Sequence, residues 1–505
     1  MSVELSPSQL SPSEQAGASQ PQPLVEYLQQ KWQQYNALDN LLSDDFTTTK
    51  QTAKQTDDTK GISYRQAILR ISAYQQWLNE QSFNQPIGFY CDQSVEHLLM
   101  LIALMSTQLN FALLPADSLD KGSGQDNQGF GDKLTLSPEY HASLSHIEKV
   151  NHQVTDSNSK SDNSIKTLAN KVYFRTSGSL GTPKVVVHSR DKLIKNSEDV
   201  LTRLPLNSQC RVLIPVPLYH MYGFGAALWP SLLVGANLHL SKNLNMLKFK
   251  AIEREFNPDV IYLTPPTVGA LLLRPGKKCD YRFIVSAGDC FDVQQFERAE
   301  QKFNHIYNLY GSTELGVIAV GKMNIKKQQG EQKVNDTVSP LPNVTIDVDS
   351  QQLKVKHNYG FEGYLNHPTP AAYFETGDLV EMGDSGDQIR VIGRAKLSIN
   401  REGRLIAFAD LETRLKQHPD IEQAVIVKGP KDAKGHTLIA IVESKNEAKA
   451  ETKVDQGEQI KRQLKPILPL FAMPSKVIIQ SQLPRLGNGK LNRKQIAQDY
   501  EEIEL

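Results

Sequence analysis

Apolar positions along the chain recur at two periods, and each change of period marks a new element. Residues 1–24 are rich in Ser, Gln and Pro without periodic apolar positions, which predicts a disordered tail. Over 24–38, Val25, Leu28, Trp32 and Tyr35 fall close to one face of a helix, and a polar loop is expected over 47–60. Ile62, Ser63 and Tyr64 then lead into a helix over 65–78, and 87–91, 96–109 and 111–114 read as strand, buried helix and strand. Between 118 and 169 the composition turns to Gly, Asp, Asn and Ser with short apolar islands, which predicts a long surface excursion. The alternation then returns, with strands over 172–174 and 185–187, a helix over 191–201, a strand over 211–215 and a helix past Gly223. Strands follow over 260–263, 283–286 and 305–309, then β-rich runs over 344–348, 353–357 and 389–392 before a mixed C-terminal segment. Alternating β and α signals without an internal repeat predict layered α/β sheets.

At 505 residues the chain exceeds what one core normally organises, so at least two domains are expected. Lys plus Arg equals Asp plus Glu at 56 each, which removes a general electrostatic case for nucleic acid as partner. Cys91, Cys210, Cys279 and Cys290 lie far apart without CxxC spacing, arguing against zinc and disulfide frameworks. The first residues lack a basic region followed by an apolar stretch, and apolar runs such as 98–105 are too short to span a bilayer. The expectation is a reduced, cytoplasmic enzyme without a membrane span.

Candidate chemistry concentrates in five stretches. In VYFRTSGSLGTPKVVVHS, residues 172–189, an apolar strand breaks into Thr176, Ser177, Gly178, Ser179, Gly181 and Thr182 ahead of Pro183, Lys184 and a second strand. Glycines let backbone N–H groups turn toward an anion, hydroxyls add donors and Lys184 adds charge, so the loop suits a polyphosphate. It is not a Walker A loop, because Thr182 and Pro183 separate Lys184 from the last glycine and a strand follows. In NLYGSTE, residues 308–314, Tyr310 offers a face for a purine, Gly311 a close approach, Thr313 a donor and Glu314 a hard oxygen for Mg²⁺. In YFETGD, residues 373–378, Asp378 at a turn can accept from both hydroxyls of a ribose, or the segment is a plain type I turn. LPRLGNGKLNR, residues 483–493, puts Lys490 behind a Gly-Asn-Gly turn, where its charge can neutralise a carboxylate and a phosphate driven together. Each stretch alone is also what a plain turn or strand end would carry.

Together and in this order, they resemble the motifs of the adenylate-forming superfamily of acyl-CoA synthetases, peptide-synthetase adenylation domains and luciferases. TSGSLGTPK resembles that family's phosphate loop, with Leu180 where a hydroxyl is usual and Val185 where Gly is usual. YGSTE resembles its adenine and magnesium motif, YFETGD its ribose motif, and 484–493 its catalytic lysine motif. The resemblance covers about 170 to the end, and more loosely 62 onward.

The resemblance implies an α/β fold: a large N-terminal domain of layered α/β sheets plus a β-subdomain over 25–394, and a small mobile α+β C-terminal domain over 395–505. It implies ATP and Mg²⁺ as cofactors, with nucleotide contacts from the 176–184 loop, Gly288, Asn308, Tyr310, Gly311, Asp378 and Arg394. Glu314 would hold the metal, Thr313 and Lys490 would act in catalysis, and Lys396 would be the hinge of the C-terminal domain. Gly403 would face a pantetheine arm and Glu412 would be a helix-start acid, with a hairpin turn and a solvated helix face as the plain alternatives. The implied reaction is activation of a carboxylic acid as an acyl-adenylate, then transfer to a phosphopantetheine thiol on coenzyme A or on a separate acyl carrier protein.

The fifth stretch, PLYHMYGFG over 217–225, resembles the family's acyl-pocket segment with His220 at the gate. It has no carboxylate to meet an α-amine, and Tyr219, Tyr222, Phe224 and Trp229, with the SAGD run over 286–289, point to an aryl or apolar acid or to ordinary core. Two alternatives share the motifs. One is a nucleotide binder that has lost catalysis, motivated by Leu180 and Val185 and opposed by Glu314, Asp378 and Lys490. The other is a luciferase-like oxygenase, distinguished by oxygen rather than thiol dependence.

Overall fold

The computed structural model describes residues 23–45, 61–83, 86–116, 133–136, 147–150, 170–176, 184–265, 267–268, 281–287, 291, 293–328, 331–365, 367, 371–383, 386–401, 404–432, 435–445, 453–466, 468–485 and 491–500. The chain divides into two compact units, Met1–Tyr173 with Pro205–Asp259, and Phe174–Leu204 with Val260–Leu505.

In the first unit, Arg211–Ile214, Asn237–Leu240 and Leu41–Asp44 run parallel, with Ile62–Ser63 added antiparallel. A second group pairs Ile87–Cys91 in parallel with Phe111–Pro115 and with Lys133–Leu136. All five residues of Ile87–Cys91 are buried, as expected of a parallel strand covered on both faces. Helix Tyr64–Glu80 opens on a capping box between Ser63 and Gln66, and Ser94 caps the buried helix Val95–Met105. Trp32 is buried on helix Leu24–Gln34 and donates its indole N–H to the Leu232 carbonyl.

Two expectations change here. Within 118–169, expected as one surface excursion, the described residues form two four-residue strands, Lys133–Leu136 and Ile147–Val150, paired antiparallel. Short islands suffice because the parent sheet supplies ready hydrogen-bond partners for an added strand. The helix expected past Gly223 is a π-helix, Tyr222–Leu228, continuing as the α-helix Trp229–Leu233.

In the second unit, Val260–Leu263, Phe283–Ala287 and Ile306–Ser312 are parallel, and Gly316–Lys322 and Ser339–Pro340 extend the sheet antiparallel. Val344–Asp349, Gln352–His357, Phe374–Met382 and Ile389–Arg394 form an antiparallel sheet. Its inner face contributes Leu353, Val355, Val380 and Ile389 to a core that also takes Val186, Leu315 and Ile318, so the strand leaving the phosphate loop shares this core. Beyond residue 395, Ser398–Arg401, Arg404–Ala407, Ile421–Asp432, Gly435–Ser444 and Lys476–Gln480 form a mixed sheet. Gly435–Ser444 alternates between two cores: Leu438, Ala440 and Val442 face one, while Ile439 and Ile441 face the other with Leu483 and Ile496. The fold is thus α/β with a smaller α+β part at the C-terminal end, and among the described residues no helix is long and apolar enough to cross a membrane.

Candidate functional site

Thr176 and Lys184 flank the segment expected to bind phosphate. The Thr176 N–H donates to the Lys184 carbonyl and the Lys184 N–H to the Thr176 hydroxyl, each at 3.0 Å. Ser177, Gly178, Ser179, Gly181 and Thr182 lie outside the described residues, as do Gly288, Gly403 and Lys490. The Lys184 ammonium lies 4.5 Å from the centroid of the Tyr364 ring.

The expected strand over 305–309 runs from Ile306 to Ser312, so Tyr310 and Gly311 sit on it with Asn308 rather than after it. Thr313 to Leu315 make the turn into Gly316–Lys322. Gly311 is required by this hairpin, since a Cβ there would lie 2.4 Å from the Gly316 carbonyl oxygen. Asn308 donates its amide to the Asp336 carbonyl at 2.7 Å.

The turn is held from two sides. His188, fully buried on strand Val185–Ser189, donates Nε2–H to the Thr313 carbonyl at 2.7 Å. Burial keeps this imidazole neutral, lowering its pKa to about 4 against the opposing pull of the Thr313 carbonyl. Asn196, buried on helix Arg190–Leu201, accepts from the Val317 N–H at 3.0 Å and donates to its carbonyl at 2.9 Å. On the other side the Phe361 N–H donates to the Glu314 carbonyl at 2.8 Å, and the Tyr364 hydroxyl donates to Glu314 Oε1 at 2.8 Å.

YFETGD does not end in a type I turn; it runs through the strand Phe374–Met382. Gly377 has φ +71°, a left-handed value that a side chain would strain, and it redirects the strand just before Asp378. Asp378 is buried and faces Arg394 across the sheet, with Arg394 Nε 2.7 Å from Oδ1. Its Oδ2 accepts from the Tyr310 hydroxyl at 2.5 Å. Burial raises the Asp378 pKa, with Arg394 and the Tyr310 hydrogen bond pulling it down and the Glu314 charge adding to the rise. Burial and the Asp378 charge likewise push the Tyr310 phenol up.

Lys396 is exposed in the 3₁₀ turn Ala395–Leu397, which joins Ile389–Arg394 to Ser398–Arg401. Glu412 is neither at a helix start nor solvated. It is buried in the middle of helix Phe408–Leu415, accepts from the Ile426 N–H at 2.8 Å and is held by both Arg493 terminal nitrogens, at 2.7 and 2.5 Å. Arg493 ends the lysine motif and begins helix Arg493–Tyr500, so the motif's last residue is anchored on a buried carboxylate.

In the first unit His220 is exposed, its ring 4.5 Å from that of Tyr219, while Phe224 and Trp229 are fully buried and pack edge-to-face. Those two aromatics are core.

His188, Asn196 and Tyr364 are the residues that sequence reasoning missed. His188 carries a weak signal, a polar residue in a β-branched run. Tyr364 carries none, since fifty residues separate it from Glu314.

The model for the AMP-binding enzyme matches residues 126–365, and that for the AMP-binding enzyme C-terminal domain matches 410–490. The chain is 26% identical over 358 residues to the mitochondrial medium-chain acyl-CoA ligase of Rattus norvegicus, covering 65% of this chain and 57% of that protein. It is 28% identical over 375 residues to the D-alanine–D-alanyl carrier protein ligase of Listeria monocytogenes, covering 65% and 70%. The fold resembles ATP-bound MatB from Rhodopseudomonas palustris with a TM-score of 0.71 at 17% identity, over 95% of this chain and 99% of that one. With both parts of the family matched in order, the chain belongs to the AMP-binding, adenylate-forming enzymes.

Proposed function

We propose that this chain activates a carboxylic acid with ATP and hands the acyl group to a phosphopantetheine thiol, on coenzyme A or on a separate acyl carrier protein. The observation that carries this reading is the linkage of three distant motifs within one compact unit. Lys184 and Glu314 meet on Tyr364, and Asp378 is bound by Tyr310, four residues before Glu314.

In the first step a carboxylate oxygen bonds to the α-phosphorus and the bond to the β-phosphate oxygen breaks, releasing pyrophosphate. In the second, the thiol sulfur loses its proton and attacks the acyl carbon, and AMP leaves. Thr176 to Lys184 and Thr313 manage the phosphates, Asp378 and Arg394 the ribose, and Tyr310 with Asn308, Gly311 and Gly288 the base. Lys490 screens the carboxylate and α-phosphate as their charges approach.

Mg²⁺ takes one or two carboxylates and fills its remaining positions with waters and phosphate oxygens. Among the described residues no three His, Cys, Asp or Glu side chains gather as a metal cage, and the single half-buried Glu314 fits that donor set. Bound there, Mg²⁺ would neutralise pyrophosphate charge.

The domain boundary falls at 394/395, with Lys396 in its exposed 3₁₀ turn as the hinge. The substrate is an aryl or apolar acid without an α-amine, because 217–225 carries no carboxylate. His220 and the half-buried Tyr219 and Tyr222 are the surface left for contact with it. A cytoplasmic location completes the reading, supported by four cysteines spaced far apart without CxxC pairs.

Exchange of labelled pyrophosphate into ATP across a panel of acids tests the first step. Exchange with aryl or apolar acids and none with α-amino acids is expected; no exchange with any acid leaves only a nucleotide binder. Coenzyme A and carrier protein are then compared as acceptors with the preferred acid.

A further inference from the structure

Lys184 and Glu314 are residues of opposite charge type that both reach Tyr364, yet among the described residues neither is ion-paired with the other or with a third side chain. The ammonium lies over the phenol ring, 4.5 Å from its centroid, while the phenol hydroxyl donates to Glu314 Oε1 at 2.8 Å. We propose that Tyr364 is a positioning residue that holds Lys184 and Glu314 apart and aimed, so that both charges stay available to a metal-bound polyphosphate. This inference rests on the nucleotide reading given above.

The backbone explains how Tyr364 can do this. Segment 361–365 is laced to both motifs: Glu362 N–H donates to the Val187 carbonyl at 2.8 Å and Leu365 N–H to the Val185 carbonyl at 2.9 Å, while Phe361 N–H donates to the Glu314 carbonyl. Tyr364 therefore moves with the strand leaving the phosphate loop and with the Glu314 turn together. Phe361 packs edge-to-face on its ring at 5.2 Å, fixing the ring plane. A hydroxyl occupying one lone pair of Oε1 leaves Oε2 and the other lone pair of Oε1 for a cation. Hydrogen bonds of this kind to a metal-binding carboxylate orient it, and losing one costs metal affinity. The ring attracts the ammonium but brings no negative charge of its own to occupy it in place of phosphate.

Tyr364→Phe removes the hydroxyl and keeps the ring; Tyr364→Leu removes both. Binding of Mn²⁺ to the ATP complex is followed by electron paramagnetic resonance, and ATP and AMP affinities by calorimetry. For Tyr364→Phe, Mn²⁺ affinity in the ATP complex is expected to fall about 10- to 100-fold while AMP affinity stays unchanged. Tyr364→Leu should weaken ATP a further two- to five-fold, roughly, with AMP again spared. Adding Tyr364→Phe to Glu314→Gln should bring no further loss of Mn²⁺, since the hydroxyl acts through that carboxylate. Unaltered Mn²⁺ binding in Tyr364→Phe, or equal losses of ATP and AMP, would overturn the role. Should Tyr364→Leu fail to fold, Tyr364→Phe decides alone. A parent protein that binds neither ATP nor AMP would bring down the nucleotide reading itself, a result distinct from a parent that binds both and a variant that matches it.

Discussion

Two tyrosine hydroxyls in this protein each donate to a carboxylate, and the two pairs are built differently. The half-buried Tyr310 donates to the buried Asp378, and Arg394 completes the group from across a sheet whose register puts it opposite Asp378. Tyr364 and Glu314 form a half-buried pair beside an ammonium, on a turn whose Thr313 and Glu314 carbonyls are held by His188 and the Phe361 N–H. The first carboxylate is neutralised by the protein itself, as a fixed acceptor for neutral hydroxyls should be. The second carries a hydrogen bond but, among the described residues, no opposite charge, which suits the cation-binding role proposed for it. A hydrogen bond of the same type thus serves structure in one place and readiness in the other.

The largest expected effect falls on the second pair. Glu314→Gln should lower acid-dependent pyrophosphate exchange by about 10²–10³-fold with the melting temperature nearly unchanged, because a transition-state charge contact is lost and no buried partner is stranded. A matching fall in thermal stability would erase the distinction between the pairs. Asp378→Asn should instead weaken ATP and AMP alike, by roughly 10- to 100-fold, since hydrogen bonds to a charged acceptor are lost whichever nucleotide is bound. Calorimetry with both nucleotides checks this, and selective loss of ATP would contradict it.

A smaller effect separates the pairs by sign of pH dependence. His188 and His357 flank the Glu314 turn, and burial lowers the pKa of each to about 4, with the Thr313 and Val317 carbonyls opposing. An unfolded histidine takes its proton near 6.5, so between that pH and about 4 the unfolded state binds more protons and stability falls on acidification. Each histidine should contribute on the order of 1–3 kcal/mol to that loss. Asp378, with its pKa raised by burial, has the opposite sign: its ionisation opposes folding, so its share of stability rises as pH falls through the raised value toward 3.8. Denaturant unfolding between pH 7 and 4 should become shallower in His188→Gln, where an amide can still donate to Thr313, and steeper in Asp378→Asn.

Local pattern made much of the scaffold legible. The strands Ile87–Cys91 and Val260–Leu263 fall where unbroken apolar runs put them, and helix Arg190–Leu201 starts one residue before its expected start. The misreadings came where partners far away in sequence choose the conformation. YFETGD looks like a turn because Gly and Asp are turn residues, but Phe374 and Glu375 pair with Gln352–His357 and Asp378 onward pairs with Ile389–Arg394, with Gly377 at a left-handed φ between them. Glu412 looks like a solvated helix acid until Arg493, eighty-one residues on, is brought against it.

By itself, the sequence determined which side chains carry charge, hydroxyl or aromatic chemistry, and that their order is that of an adenylate-forming enzyme. Those properties belong to residue types and short spacings, which need no third dimension. Only the tertiary structure decided that Tyr364 stands between Lys184 and Glu314, that His188 holds the Thr313 carbonyl, and that Asp378 is already paired. Such contacts depend on strand register and burial, and these are set by packing across the whole core.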